Sequence, residues 1–314
     1  KYCIIQIKMK RNKLLVYFHA LRINQWIKNF VIFTAIIFSG QLFNLDLLLK
    51  SFNAFFIFCL LSSTSYVLND IIDYPYDIKH PIKKLRPIAS GDLSMPEATF
   101  IVFTLSLVAL ILALFFSLPF FFLSLFFIVL HFLYSLILKK QPVIDIFTIS
   151  FSFMIRTFAG EIATGYHIPI WLLLTIFFGS LFMASVKRHA ELVSYGIKAR
   201  LSLYRYNEHF LDFLTYTFGT ATIIAYSTYA YVERPPQTET EISRFFNLTF
   251  PGFEARKWLM ITIPLVVYGI ARYAQLLYEK AEGERPERTI TSDIPLIVTI
   301  GLWGVIVVSL IYLL

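Results

Sequence analysis

The sequence predicts an all-α protein that crosses a membrane many times, and its composition is the first reason. Hydrophobic residues make up 57% of the 314 positions and charged residues only 15%, whereas soluble domains average roughly 45–50% and 25%. The mean hydropathy is +0.68. A soluble fold cannot bury that much apolar surface. An ordinary soluble enzyme, a disordered chain and a disulfide scaffold are therefore disfavoured.

Nine stretches of the sequence are long and apolar enough to cross a bilayer, which takes about 20 residues of α-helix. The third and fourth form one continuous apolar run from residue 98 to residue 138. This run is long enough to cross twice, and Ser117-Leu118-Pro119 is the predicted turn. The nine predicted spans cover residues 26–45, 51–68, 98–117, 119–138, 143–164, 168–186, 210–232, 258–277 and 294–314.

The basic residues predict how these spans are oriented. Most of the 28 Lys and Arg residues lie in the segments on the side of the N-terminus, or at the helix ends that adjoin them. Because such residues concentrate in cytoplasmic loops, the N-terminus, Lys83 and Lys198 are predicted to face the cytoplasm, and Glu239 and the C-terminus to face outside. The net charge of +8 then reflects these loops and anionic membrane lipid rather than a nucleic-acid partner. We expect the chain in the plasma membrane.

Two long polar segments on the predicted cytoplasmic side, 69–97 and 187–209, organise the chain. They lie four spans apart and are similar in length, which indicates two four-helix halves followed by a ninth helix. We therefore predict a single integral membrane domain over residues 1–314. These two segments are also the predicted active-site segments.

The most informative stretch begins at Asn69 and contains Asp70, Asp73 and Asp77. The spacings i, i+3 and i+7 place the three carboxylates on one face of a helix. Carboxylates that converge in this way repel one another without a cation, and hard oxygen ligands beside a phosphate suit Mg²⁺. Pro75 is expected to break or kink the helix, which weakens the case for Asp77.

A basic cluster follows the aspartates and includes Lys83, Lys84 and Arg86. Beside a metal site, these cations would bind anionic oxygens. Together the two features match the needs of a Mg²⁺-diphosphate substrate. The alternative interpretation is a polar helix end followed by a positively charged cytoplasmic loop.

Three further polar clusters lie near the predicted cytoplasmic ends of helices. Each has an alternative interpretation: a Trp with flanking cations also marks a membrane interface, and Lys187 and Glu191 are spaced for a surface salt bridge. The clusters are Arg22, Gln25, Trp26, Lys28 and Asn29; Tyr134, Lys139, Lys140 and Asp145; and Lys187, Arg188, His189 and Glu191.

Two charged residues, Arg156 and Glu161, fall inside the fifth predicted span. A charge near mid-bilayer costs roughly 2.5–3.5 kcal/mol even on the lenient insertion scale, so each of them needs a partner. Two interpretations are open: the residues neutralise each other, or Arg156 faces a polar cleft and binds an anion. His131, in the fourth span, is expected to form a hydrogen bond between helices rather than to bind a ligand.

The motifs that the sequence lacks narrow the functional classes. There is no Walker A motif, no Gly-rich dinucleotide fingerprint, no Cys/His zinc spacing and no HExxH in the sequence, which disfavours ATP-driven transport and zinc hydrolysis. A transporter or lipid-binding protein without catalysis stays an alternative. Transporters, however, bind substrate near the bilayer midplane, whereas most of these polar clusters lie at helix ends.

These motifs together resemble those of the UbiA prenyltransferase superfamily, and the likeness covers most of the chain up to about residue 227. Residues 22–29, RINQWIKN, resemble the family pattern RPxQWxKN, with Ile23 in place of Pro. Residues 80–91, HPIKKLRPIASG, resemble HPxKxxRPIAxG. Further matches are Tyr134, Lys139 and Asp145 in the tyrosine-to-lysine stretch, and 179–183 with 187–192 in the GSLFM…KRxAEL pattern.

The resemblance implies nine helices and a Mg²⁺-dependent transferase. The likeness is strongest to enzymes that transfer 5-phosphoribosyl from phosphoribosyl diphosphate (PRPP) to a polyprenyl phosphate, with release of diphosphate, for cell-envelope glycan precursors. It implies that Asp70, Asp73 and Asp77 are the catalytic residues and hold Mg²⁺. The implied substrate-binding residues are Lys28, Asn69, Lys83, Arg86, Tyr134, Lys139, Asp145, Lys187, Arg188 and Glu191, and the second interpretation of Arg156 adds that residue to them.

Prenyl transfer from an isoprenoid diphosphate to an aromatic acceptor is the alternative within the same superfamily. Those enzymes resemble one another in a second aspartate-rich motif, DxxxD, after the sixth helix. Residues 187–191 of this chain read KRHAE instead, with one carboxylate and two permanent cations. This difference favours a donor with an additional phosphate, such as the 5-phosphate of PRPP.

Overall fold

A computed structural model describes residues 12–80, 82–195, 206–233, 244–245, 248–249, 255–280 and 292–313, and the regular structure within these ranges is helical throughout. The predicted all-α class is therefore confirmed. The α-helices, labelled α1 to α10 in chain order, are Lys13–Leu21, Thr34–Phe38, Leu45–Asp77, Met95–Phe116, Leu118–Leu136, Ile144–Thr164, Ile170–Tyr195, Glu208–Val232, Ile263–Lys280 and Ile294–Tyr312. The 3₁₀ helices are Ile23–Phe33, Lys83–Leu85, Leu138–Lys140 and Ala255–Thr262.

Seven helical stretches of the described chain are long and apolar enough to cross a membrane, and each overlaps a predicted span. The predicted span 26–45 overlaps a shorter apolar stretch, Ile23–Phe38. The predicted span 210–232 lies within α8, which is less apolar because it carries many Tyr and Thr residues. The chain is thus a multi-pass membrane protein. The seven stretches are Leu45–Asp77, Met95–Phe116, Leu118–Leu136, Ile144–Thr164, Ile170–Val193, Trp258–Leu276 and Ile294–Tyr312.

The first predicted span differs most from the structure. The 3₁₀ helix Ile23–Phe33, here named the 3₁₀ segment, leads into the short helix α2. The chain then turns at Gly40, whose φ of 75° suits glycine. The side chain of Asn44 caps the start of α3 by accepting a hydrogen bond from the backbone N–H of Leu47. The predicted span therefore ends too late, because hydropathy does not detect this turn.

The predicted turn within the long apolar run is confirmed. α4 ends at Phe116, Ser117 is extended, and α5 begins at Leu118. The Ser117 side chain accepts a hydrogen bond from the backbone N–H of Phe120. Pro119 lies in the first turn of α5, where its missing N–H would have no partner in any case. A local signal thus divides the run into two helices.

Two helices extend beyond their predicted spans into the polar segments. α3 continues through Pro75 to Asp77, and α7 continues to Tyr195. Membrane helices tolerate proline because neighbouring groups satisfy the backbone carbonyl that it leaves without a donor. The expected break at Pro75 is therefore wrong. Polar residues predicted to lie in loops instead occupy the last turns of two long helices.

The helices pack around separate groups of buried apolar side chains. The 3₁₀ segment, α3, α4, α5 and α6 share one core, which contains Phe58, Phe120 and Phe127. α7, α8 and α10 pack around another, which contains Leu172 and Tyr226. α6 links the two because it contacts α3 and the 3₁₀ segment on one side and α7 on the other. Side chains from α3, α6 and α7 can therefore lie close together and form one site.

Candidate active site

The last turns of α3 carry the three aspartates of the predicted metal motif. The C-terminal end of a helix has a partial negative charge, so three carboxylates there are unfavourable without cations. Arginine and lysine side chains from three other parts of the chain supply the balancing charge. The group, named the aspartate cluster, consists of Asn69, Asp70, Asp73, Asp77, Arg22, Arg86 and Lys139.

Asp70 and Asp77 share one cation, Arg86. Nη1 of Arg86 lies 3.0 Å from Oδ1 of Asp70 and 2.7 Å from Oδ2 of Asp77. Nη2 of Arg22 donates to the same Asp70 oxygen at 2.5 Å. Asp77 therefore lies on the face of Asp70. The expectation that Pro75 would move Asp77 off this face is wrong, because α3 continues past it.

Asp73 has a different partner, Lys139. Nζ of Lys139 lies 2.5 Å from Oδ1 of Asp73 and also donates to Oδ1 of Asn69 at 3.0 Å. Nδ2 of Asn69 donates to Oδ2 of Asp73 at 2.9 Å. The three carboxylates thus share a helix end but belong to two ion-paired groups. Within the described ranges, no three His, Cys, Asp or Glu side chains are arranged to hold a metal.

Arg22 is a member of this cluster whose role the sequence does not reveal. Its motif groups it with Trp26 and Lys28, but its carboxylate partner, Asp70, is 48 residues away. The backbone of Arg22 is left-handed, with a φ of 50°, which is uncommon outside glycine. Burial disfavours the charge on Arg22, but the Asp70 carboxylate outweighs that effect, and the pKa of the guanidinium is raised.

A second polar group, named the arginine cluster, surrounds Arg188 near the end of α7. Nε of Arg188 donates to Oδ2 of Asp145 at 2.7 Å, and Nη1 donates to Oε2 of Glu191 at 2.7 Å. Nη2 donates to the hydroxyl of Tyr134 at 3.3 Å. The Arg188 side chain is only 1% exposed. Four residues predicted for substrate binding thus lie together, as one fully buried cation with its partners.

The fifth member of the arginine cluster, Tyr206, was not predicted. Its hydroxyl donates to Oδ1 of Asp145 at 2.8 Å and accepts from the backbone N–H of Val143 at 2.6 Å. Val143 has a φ of 67°, which is strained for a β-branched residue, so this turn depends on such support. Burial, together with the Asp145 carboxylate, raises the pKa of Tyr206. No spacing pattern links it to Asp145, 61 residues away.

Arg156 and Glu161 do not pair. Nε of Arg156 donates to Oδ1 of Asn29 at 2.7 Å, whereas Glu161 accepts a backbone N–H that follows α6. Positions five apart on a helix point in different directions, so the predicted mutual neutralisation is wrong. Nε2 of His131 lies 2.9 Å from Oγ of Ser152. This contact joins α5 to α6 and confirms the predicted hydrogen bond between helices.

The three other predicted lysines lie close in sequence to members of these clusters. Lys28 lies half-buried on the 3₁₀ segment, close enough to His131 to interact with it electrostatically. Lys83 begins the short 3₁₀ helix that leads to Arg86. Lys187 is half-buried on α7, next to Arg188.

The donor atoms of the aspartate cluster fit a magnesium ion. Oxygens of Asp70 and Asp77 already converge on a single positive centre, Nη1 of Arg86. Asp73 offers a third carboxylate on the same helix end. Mg²⁺ is usually held by one or two carboxylates together with water and substrate phosphates. The chemistry of these carboxylates therefore suits a Mg²⁺ ion whose coordination is completed by other oxygen ligands.

An apolar cavity of about 380 Å³ lies among α7, α8, α9 and α10. Its wall also includes Val31 of the 3₁₀ segment and Phe153 of α6. Met183, one turn before Lys187 on α7, lines the same cavity. An almost wholly apolar lining suits a hydrocarbon ligand.

Known proteins resemble this chain both in sequence and in fold. It is 32% identical over 303 residues to the decaprenyl-phosphate phosphoribosyltransferase of Corynebacterium glutamicum, across 94% of this chain and 86% of that protein. It is 31% identical over 281 residues to the protein of the same name from Mycolicibacterium smegmatis, across 87% and 85%. A solved UbiA homologue from Archaeoglobus fulgidus, bound to GPP and Mg²⁺, has a TM-score of 0.66 at 17% identity, across 95% of this chain and 98% of that one.

The UbiA prenyltransferase family matches residues 29–292. This range contains the whole arginine cluster and every member of the aspartate cluster except Arg22. The structural likeness supports the same helical fold, and the resemblance drawn from the sequence motifs is confirmed. The chain belongs to the UbiA prenyltransferase family.

Proposed function

We propose that this chain transfers a 5-phosphoribosyl group from PRPP to a polyprenyl phosphate and releases diphosphate. The two relatives that align over most of its length are named for a phosphoribosyl transfer to decaprenyl phosphate. The arginine cluster carries the proposal. Arg188 and Glu191 occupy the region where the prenyl-transferring enzymes of the superfamily resemble one another in a second aspartate-rich motif. A cation cannot bind metal, so this region favours a donor whose extra phosphate is held by the protein itself.

The proposed reaction needs little proton transfer. A phosphate oxygen of the lipid forms a bond to C1 of the ribose, the bond from C1 to the diphosphate oxygen breaks, and diphosphate leaves with the electron pair. A phosphate monoester is already anionic at neutral pH. The residues of the site therefore have to orient two anions and neutralise the leaving group, and a strong general base is not required.

Asp70, Asp73 and Asp77 are the residues that would hold Mg²⁺. The Archaeoglobus fulgidus homologue is described as bound to GPP and Mg²⁺, which supports a divalent metal in this chain as well. When bound, Mg²⁺ supplies positive charge that stabilises the leaving diphosphate. Arg86 and Lys139, which pair with these carboxylates, would then donate to diphosphate oxygens.

The remaining cations would bind the other phosphates. Lys28, Lys83 and Lys187, each close in sequence to a member of one of the two clusters, are candidates for the 5-phosphate of the donor and the phosphate of the lipid. Arg188 is buried between two carboxylates and would hold the region around Lys187 in place. The apolar cavity, which Met183 lines one helical turn before Lys187, would receive the first isoprene units of the acceptor. This division gives the donor a polar site and the acceptor a path into the bilayer.

We also propose how the chain lies in the membrane. It lies in the cell membrane with nine spans, as two four-helix halves and a ninth helix, and its N-terminus and active site face the cytoplasm.

Single cysteines at Lys84 and at Phe43, both exposed and at opposite ends of α3, test this orientation. An impermeant thiol reagent added to intact cells should label position 43 and not position 84. The reverse pattern would contradict it. Lys198 and Glu239, which also predict the orientation, lie outside the described residues.

The decisive experiment compares donors. Purified protein in detergent is supplied with Mg²⁺, radiolabelled PRPP and polyprenyl phosphate, and product lipid is separated by thin-layer chromatography. We expect labelled lipid to form and EDTA to abolish it. A parallel reaction supplies a labelled prenyl diphosphate with 4-hydroxybenzoate. Product from that pair alone would replace the proposal with prenyl transfer, and binding of PRPP without turnover would replace it with a binding or transport function.

A further inference from the structure

Arg156 is a buried cation held entirely by neutral groups in the part of the chain that the structure describes. Nε donates to Oδ1 of Asn29 at 2.7 Å, Nη1 to the carbonyl of Ser152 at 2.7 Å, and Nη2 to Oγ of Ser62 at 3.3 Å. Its guanidinium also lies 4.8 Å from the ring centre of Phe127. A charge at this depth is costly, and its hydrogen bonds are stronger than those of a neutral donor.

Asn29 links Arg156 to a third element. Its side chain is fully buried. Oδ1 accepts hydrogen bonds from both Arg156 on α6 and Ser62 on α3, and Nδ2 donates to Sγ of Cys59 on α3 at 3.3 Å. One side chain of the 3₁₀ segment is therefore bonded to two transmembrane helices at once.

A close backbone contact lies one turn from this hydrogen bond. A Cβ atom added at Gly160 would lie 2.1 Å from the carbonyl oxygen of Ile32. Ile32 follows Asn29 by three residues and Gly160 follows Arg156 by four, so both contacts lie along one interface. The 3₁₀ segment has 11 residues, whereas most 3₁₀ helices stop after three or four. The contacts of the segment with α6 and α3 explain how so long a 3₁₀ helix keeps this conformation.

We infer that Arg156 is a positioning residue, which acts through Asn29 to fix the 3₁₀ segment against α6 and so sets the place of Lys28. Lys28 is the neighbour of Asn29 in sequence, and any shift of the segment moves it directly. The link to catalysis rests on the proposed function, in which Lys28 binds a substrate phosphate. The link from Arg156 to the segment rests on geometry alone.

The reactivity of the Cys59 thiol measures whether the 3₁₀ segment is in place, because Cys59 is fully buried and its Sγ accepts a hydrogen bond from Asn29. The chain has two cysteines, so a Cys3→Ser background leaves Cys59 as the sole thiol. Gly160→Ala should displace the segment without removing any polar group, and Arg156→Gln should remove the cation. Gly301→Ala is the matched control, because an added Cβ at Gly301 meets nothing within 4 Å. Alkylation of Cys59 by N-ethylmaleimide is followed in detergent for each variant.

We expect Gly160→Ala and Arg156→Gln to speed alkylation at least about ten-fold, and Gly301→Ala to match the parent. In the transfer assay, kcat/KM should fall about ten- to a hundred-fold, the range for losing one charge-assisted hydrogen bond. A double-mutant cycle then separates positioning from general damage. In a Lys28→Ala background, Gly160→Ala should have little further effect on kcat/KM, because both changes remove the same contact.

Slow alkylation and unchanged kcat/KM in Gly160→Ala would overturn the inference, even if Arg156→Gln fails to fold. Suppose that alkylation of Gly160→Ala is fast but the effects of Gly160→Ala and Lys28→Ala on kcat/KM are fully additive. This result would overturn the claim that the 3₁₀ segment acts on the reaction through Lys28. Absence of phosphoribosyl transfer in the parent enzyme would instead overturn the proposed function. The alkylation rates would still decide whether Arg156 and Gly160 fix the segment.

Discussion

The aspartate cluster and the arginine cluster use the same residue types but balance their charges differently. In the first, the carboxylates are paired with Arg22, Arg86 and Lys139, whose side chains are 25%, 24% and 11% exposed. In the second, two carboxylates are paired with Arg188, which is 1% exposed. Partly exposed cations can exchange partners when a charged ligand arrives. A fully buried pair cannot do so without leaving an unpaired charge in the protein interior. The first cluster is thus suited to binding, and the second to holding helices in place.

The largest expected effect is on activity, from removing a charge in the aspartate cluster. Asp73→Asn, Asp70→Asn and Asp77→Asn should each lower kcat/KM more than about a hundred-fold, because each removes a carboxylate that would hold Mg²⁺ and a partner of a phosphate-binding cation. Thermal unfolding of Asp73→Asn should change little, since Asp73 is 23% exposed. Asp70 and Asp77 are buried, so their variants should lose stability as well. Initial rates with labelled PRPP, together with a melting curve, measure both.

Asp46→Asn is the matched control for these variants, because Asp46 is exposed in the first turn of the same helix. It should retain normal activity. Normal turnover by Asp73→Asn, or insensitivity of the parent to EDTA, would remove the aspartate cluster from the reaction. Loss of activity in Asp73→Asn only together with loss of folding would show that this cluster also holds helices in place, and the contrast with Arg188 would disappear.

The next largest effect is on stability, from Arg188→Ala. This change leaves Asp145, which is fully buried, without its cation, and breaking a buried pair costs about 3–5 kcal/mol. The midpoint of thermal or denaturant unfolding in detergent should fall accordingly. Arg272→Ala is the control, because it breaks the pair of Arg272 with Asp293, in which the arginine is 24% exposed. Arg272→Ala should lower the free energy of unfolding clearly less than Arg188→Ala does. Equal costs would show that burial does not distinguish the two pairs.

A smaller effect is expected from Tyr206→Phe. The change removes the hydrogen bonds of the hydroxyl to Asp145 and Val143. The bond to the Val143 N–H joins neutral groups and contributes about 0.5–1.5 kcal/mol, and the bond to the Asp145 carboxylate contributes about 1.5–3 kcal/mol. Unfolding should shift modestly, and kcat should fall less than in the aspartate variants. Tyr231→Phe, at a tyrosine that is 53% exposed, should leave both unchanged. A Tyr206→Phe enzyme as inactive as Asp73→Asn would place Tyr206 among the residues that contact substrate.

Local signals in the sequence predicted much of the fold. Hydropathy located the helices because a membrane span must be apolar along its whole length. Ser117 and Pro119 marked the turn between α4 and α5 because capping and proline geometry act over a few residues. Hydropathy missed the polar ends of α3 and α7, since a helix that leaves the hydrocarbon can continue with charged residues.

Partners far apart in the sequence were beyond prediction. The spacing of Asp70, Asp73 and Asp77 indicated a cation, but which cation pairs with which carboxylate depends on how α1, α3 and α5 pack. The pairing of Arg22 with Asp70 and of Tyr206 with Asp145 has no local signature. The predicted pairing of Arg156 with Glu161 failed for the same reason. Its nearest charged neighbour in sequence was Glu161, whereas its partners in space come from α3 and the 3₁₀ segment.

The apolar cavity among α7 to α10 is small for a long lipid. Its volume of about 380 Å³ lies at the low end of the range for small-molecule sites, roughly 300–1,000 Å³. Only the first isoprene units of a polyprenyl chain fit in such a space, and the rest must stay among the lipid tails, which are equally apolar. Acceptors would then be selected by their phosphate and by the stereochemistry of their first units. Polyprenyl phosphates of different total length would compete on nearly equal terms.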